Sequence, residues 1–145
     1  MQRRLALALA ISLPTASSAA TYTVGSDPAC THASIQSAID AASAGDIGDQ
    51  IIVAAPLITE VELNLANDSV AIRGGFANCS DAAPTGRTRL VGRNDPASRV
   101  LAITNMGNRI AVDLVDVDVL REVGSVGGGI SVSGFGPVVL TLTRS

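Results

Sequence analysis

The sequence predicts an all-β solenoid, a chain that winds continuously through short strands behind a single helix. Three observations carry this prediction. From Gln50 onward, short runs of apolar residues are separated by clusters of Gly, Asn, Asp and Pro. Only the stretch "SIQSAIDAA" repeats with a helical period. In "RIAVDLVDVDV", Ile110, Val112 and Leu114 occupy one parity and Val115, Val117 and Val119 the other. A slip of that kind turns the apolar face of a straight strand to solvent, whereas a corner between Leu114 and Val115 keeps both apolar sets pointing inward. Strands joined by abrupt corners rather than by Asn-Gly hairpin turns favour a winding coil over a sandwich, with coils of about 20 to 25 residues.

The elements follow in order. Residues 1 to 20, "MQRRLALALAISLPTASSAA", have the parts of a secretory signal: Arg3 and Arg4, an apolar run from Leu5 to Leu13, and the small residues Ser18, Ala19 and Ala20 before a cut after Ala20. The apolar run is well short of the roughly 20 residues that cross a bilayer, so it is not a membrane anchor. Residues 21 to 49 form a cap. "TYTVGS" is a first strand, and Ile35, Ala38, Ile39 and Ala42 lie at i, i+3, i+4 and i+7, one apolar stripe on a helix that ends near Gly45. Residues 50 to 145 are the coils, read as the strands "IIVAA", "EVELNL", "VAIRGGF", "TRLVG", "RVLAIT", "RIAVDLVDVDV", "GGISVSG" and "VVLTLTRS". Gly127 to Gly129 make a tight corner; they lack the Lys-Ser/Thr of a phosphate loop and precede a strand rather than a helix.

Charge and composition narrow the partners. The 145-residue chain has 10 basic and 13 acidic residues, and loss of Arg3 and Arg4 with the signal leaves a formal charge of −5 and no lysine. That balance argues against nucleic acid. Tyr22, Phe76 and Phe135 are the whole aromatic set, a poor supply of ring faces for stacking on sugars. Cys30 and Cys79 are the two cysteines, and in an exported chain a disulfide is their default. His32 lies beside Cys30, but two or three ligands make a poor zinc site, and His32 reads as an exposed residue before the helix.

The order "YTVGS…C…SIQSAIDAA…GD…IIV…VELNL…VAIRGGF…C…TRLVG…VLAIT…GGGISV" resembles the N-terminal entry into bacterial secreted, right-handed parallel β-helix proteins of the pectin-lyase-like type. One departure is Ala55-Pro56-Leu57, where such proteins commonly carry a Gly-x-Tyr element. The resemblance implies a right-handed parallel β-helix whose N-terminal helix caps the first coil. It also implies many further coils, so that "GGGISVSGFGPVVLTLTRS" reads as an early coil with no cap and the solenoid as incomplete at its C-terminus.

The chemical candidates are few. Glu60 and Glu62, and again Asp116 and Asp118, are carboxylates two apart on one strand face, a spacing of about 6.5 to 7 Å that suits calcium or an acid/base couple. The plainer reading, preferred here, makes both pairs outward charges: Glu60, Glu62 and Asn64 alternate with inward Val61, Leu63 and Leu65, and Asp116 and Asp118 with inward Val115, Val117 and Val119, without the further oxygen ligands or nearby basic residue that a site requires. Arg87, Arg89 and Arg93 read as a solvated strand face ion-paired to nearby acids rather than an anion site. Asn67-Asp68-Ser69 and Asn78-Cys79-Ser80 match the glycosylation pattern, but the chain looks bacterial and neither is expected to be modified. No catalytic, cofactor-binding or metal-binding residue is assigned.

These readings give an exported protein, delivered to the periplasm, the cell surface or the medium. Its expected role is a structural or interaction module that meets an extracellular polysaccharide or protein, or a second copy of itself through the uncapped coil. The alternative is the N-terminal part of a polysaccharide lyase or glycoside hydrolase whose active site lies in later coils.

Overall fold

The computed structural model describes residues 19–42, 48–93, 99–120 and 129–144. The predicted signal up to residue 18, the predicted helix end at Gly45, and Gly127 and Gly128 lie outside them.

The chain opens with β1 (Thr21–Gly25), α1 (Ile35–Ala42) and β2 (Asp49–Ala54). The four residues buried on α1 are Ile35, Ala38, Ile39 and Ala42, the stripe predicted from their spacing. Ser34 caps the helix, its hydroxyl accepting from the Ser37 N–H at 3.1 Å. There follow β3 (Leu57–Val61), β4 (Leu63–Ala66), β5 (Val70–Arg73), β6 (Thr88–Gly92), β7 (Leu101–Asn105), β8 (Ile110–Val115), β9 (Val117–Leu120), β10 (Ile130–Gly134) and β11 (Val138–Thr143).

These strands form three sheets, ordered β1-β2-β5-β8-β11, β3-β6-β9 and β4-β7-β10, and every pairing is parallel. The chain therefore visits the three sheets in turn and returns beside its own earlier strand, a mostly β architecture of stacked passes. Alternation sets which face goes inward: β2 and β5 bury every second residue. The result is aliphatic rows running through the stack. Ile51 pairs with Ile72, Ile72 with Leu114 and Leu114 with Leu142; on the next sheet Ile58 aligns with Leu90 and Leu90 with Val119. Burying such a side chain stabilises by about 1.5–3 kcal/mol, so these rows are the main source of cohesion between passes.

Two sequence expectations need correction. The repeat is not uniform: Ile51, Ile72, Leu114 and Leu142 stand 21, 42 and 28 residues apart. The second pass is lengthened by residues 74–87 between β5 and β6 and by residues 93–100 between β6 and β7. The corner in "RIAVDLVDVDV" falls not between Leu114 and Val115 but at Asp116, which has φ 56°. Val115 is the last residue of β8, only half-buried, and the burial pattern resumes at Val117. One residue in the left-handed region redirects the chain without a glycine, and Asp tolerates that conformation better than a β-branched valine does.

Cys30, in the link from β1 to α1, is bonded to Cys79, in the long loop after β5, with their Cα atoms 5.3 Å apart. The same loop is pinched at its neck, where the Thr85 and Gly86 N–H groups both donate to the Gly75 carbonyl, at 2.8 and 3.1 Å. Gly75 has φ +84°, and a Cβ there would lie 2.1 Å from the Gly86 carbonyl oxygen. Only glycine fits.

Candidate functional site

The acidic candidates do not behave as two outward pairs. Asp116 is buried, at 5 % exposure, and its carboxylate accepts a hydrogen bond from the Arg144 guanidinium just past β11. Asp118 lies on β9 and pairs with Arg87 at 2.9 Å. The expectation of outward carboxylates lacking basic neighbours is therefore wrong for this pair. The reason is the corner: placing Asp116 in the turn removes it from the strand alternation, so that the two side chains no longer share a face. Glu62 does face solvent between buried Val61 and Leu63, and it meets Arg93 at 3.6 Å. The side chain of Glu60 lies outside the described residues.

The arginines follow from this arrangement. Arg87 and Arg93 flank β6 and each engages a different acid, while Arg89 is exposed on β6, aligned with Leu57 of β3 and Asp118 of β9. This is a strand face with ion pairs. His32, expected to be exposed, is instead half-buried: it bridges to Val24, its Nδ1 lies 2.9 Å from the Thr31 hydroxyl, and its ring meets that of Tyr22 edge-on at 5.5 Å. Asn67 and Asn78 also have local roles. Asn67 has φ 61° and accepts from the Met106 N–H at 2.7 Å, and the Asn78 N–H donates to Asp81 at 2.8 Å. Among the described residues, no group of three or more His, Cys, Asp or Glu side chains is placed to hold a metal ion, and no helix is long and apolar enough to cross a membrane.

Sequence reasoning missed two polar side chains that organise the corners. Thr88 is fully buried, donates to the Ala55 carbonyl at 2.7 Å and accepts from the Gly75 N–H at 2.9 Å. Asn105 is also buried; its amide donates to the carbonyls of Asn108 and Pro137 at 2.7 and 3.0 Å, and its oxygen accepts from the Gly107 N–H at 3.1 Å. Neither carries a motif, and the only signal was a polar residue at the edge of an apolar run.

A groove open to a ligand lies where the cap meets the first pass. It opens between the end of β1, the start of α1 and strand β3 and measures about 360 Å³, within the roughly 300–1,000 Å³ of small-ligand sites. Val24, Ile35, Ile58, Val61 and Leu63 give it an aliphatic floor, and Ser34, Gln36, Thr59 and Glu62 are the polar groups of its lining. The chain matches no family model, no curated protein and no solved structure.

Proposed function

We propose that this chain is the N-terminal cap and first coils of a right-handed parallel β-helix of the pectin-lyase-like type. It acts as an exported structural or interaction module at or beyond the cell envelope, without catalytic groups of its own. The three-sheet parallel stack headed by a helix supports the fold reading, and the right hand is the one that parallel crossovers adopt almost without exception. The Cys30–Cys79 disulfide fits an oxidising compartment. The observation that carries the functional reading is the dispersal of the acidic candidates. Asp116, Asp118 and Glu62 are each engaged by a different arginine. Elimination from a uronate instead needs a cation at the carboxylate and a base at the α-proton, converging on one groove.

One preparation tests both parts. The full-length chain, expressed in a Gram-negative host, is expected in the periplasm or medium as the oxidised form. Incubated with polygalacturonate and calcium, that material is expected to give no unsaturated product by ultraviolet absorbance. Retention as reduced protein in the cytoplasm would defeat the export half. Turnover that vanishes in Asp116→Ala or Asp118→Ala would replace the module with a lyase.

A further inference from the structure

The first pass of the stack presents three strand edges toward the N-terminal end, and two of them are finished. Strand β1 completes β2 by parallel pairing from Thr21 with Gln50 to Gly25 with Ala54. Over β4 the Gln36 side chain of α1 takes the place of a strand: its amide accepts from the Asn64 N–H at 2.8 Å and donates to the Asn64 carbonyl at 3.0 Å. The third edge, that of β3, ends its sheet, with β6 as its single strand neighbour among the described residues. The Arg89 N–H donates to the Pro56 carbonyl at 2.9 Å, so position 56 points toward β6. Since main-chain groups alternate sides along a strand, those of Leu57 point away from it; past Ile58 the register with β6 shifts, so that Val61 aligns with Gly92 and the regular part of this edge is the Leu57–Ile58 end. On this side the groove described above is lined by Ala55, Ile58 and Thr59.

We infer that the free edge of β3 is a strand-addition site for an extended peptide that carries an aliphatic side chain inward and a basic residue toward Glu62. Three properties of the groove select this occupant. An open β edge offers alternating donors and acceptors at the spacing of another backbone. The inward position next in the row of Ile58, Leu90 and Val119 is walled by Val24, Ile35 and Leu63, so it takes a branched aliphatic chain. The rim carries the Glu62 carboxylate, 40 % exposed and paired with Arg93 at 3.6 Å, on a chain of formal charge −3; a cationic residue of the peptide shares that carboxylate with Arg93. The bound peptide becomes the missing outer strand of the β3-β6-β9 sheet. This inference gives the interaction half of the proposed function a place and a chemistry, and rests on it only to that extent, since binding by purified protein does not depend on where the chain is delivered.

The test uses the oxidised full-length chain and a fluorescein-labelled hexapeptide alternating threonine with valine and ending in arginine, followed by anisotropy. Saturable binding is expected. It should weaken at least tenfold when alternate amides of the peptide are N-methylated, which removes edge hydrogen bonds and leaves the side chains in place, and severalfold when the arginine is replaced by glutamate. On the protein side, Ala33→Trp fills the groove from an exposed position and Leu57→Pro removes the edge N–H that points away from β6; each is expected to reduce binding at least tenfold with an unchanged thermal melt. Equal binding of the N-methylated peptide, insensitivity to Ala33→Trp, or no binding to the well-folded chain would overturn the assignment. A groove that takes a small apolar dye with full affinity while ignoring the peptide would overturn it as well, in favour of a small-molecule site.

Discussion

The Thr88 hydroxyl donates to the Ala55 carbonyl across 33 residues of sequence, at 2.7 Å, and accepts from the Gly75 N–H at 2.9 Å. The Thr88 N–H in turn donates to the Asp116 carbonyl at 3.0 Å. One fully buried residue thus pins the same corner in three successive passes, where main-chain groups leave one sheet and have not yet entered the next. Thr88→Val keeps the shape but strands a half-buried carbonyl and a buried N–H. A loss of about 2–4 kcal/mol is expected, read as a lower denaturant midpoint at unchanged slope, with Thr88→Ser retaining most of the stability.

At the same corner one pass later, Asp116 takes its positive φ and buries its carboxylate against Arg144. Arg144→Ala leaves that carboxylate without its charged partner, at a cost on the order of 1–3 kcal/mol. The loss should appear first as faster amide hydrogen exchange over Val138–Thr143, since Arg144 directly follows β11. Asp116→Gly restores a residue suited to the backbone conformation and removes the stranded charge, so in the Arg144→Ala background it is expected to recover part of the lost stability, whereas Asp116→Val is not.

The disulfide joins residues 49 apart in sequence and ties the cap to the loop that interrupts the second pass. Closing a loop of that length restricts the unfolded chain by about 4 kcal/mol in the chain-entropy model. Cys30→Ala with Cys79→Ala is expected to lower unfolding stability by up to that amount, and alkylation of the native chain is expected to label no thiol. Two labelled cysteines in the native protein would contradict the structure.

The parts legible in the sequence were those set by periodicity. The stripe of α1 and the alternation of β2, β5 and β7 each bury the residues that their spacing picks out, because alternation and helical phase are local properties. The corners were less legible. Asp116 was read as an outward strand residue because its burial depends on Arg144, 28 residues on, and on a single positive φ that Asp permits but does not announce. The uneven passes were missed for a related reason: residues 74–87 leave the stack and return through the Gly75 neck, so their length does not disturb the alignment of Arg73 with Val115. The groove at β3 was invisible because it arises from what covers the two neighbouring edges, and the role of Gln36 as a surrogate strand has no sequence signature.

The opposite end of the stack carries the last prediction. Leu142 continues the row of Ile51, Ile72 and Leu114, which are essentially buried, yet it is 53 % exposed, and Val132 and Phe135 nearby are exposed at 51 % and 90 %. Among the described residues strand β11 also ends its sheet, with β8 as its strand neighbour, beside that apolar surface. An antiparallel pairing of two such edges centred on Leu140 sets Val138 opposite Leu142, so that the inward parity of one copy meets the inward parity of the other. Because β1 and the Gln36 amide finish two of the three edges at the other end, association through β11 is expected to close as a pair rather than to propagate as a filament. Sedimentation of the full-length oxidised chain is expected to show a concentration-dependent monomer–dimer equilibrium, and Leu142→Lys, at a position already half-exposed, is expected to shift it to monomer without lowering the thermal melt. A monomer at all concentrations would show that this edge is protected in solution.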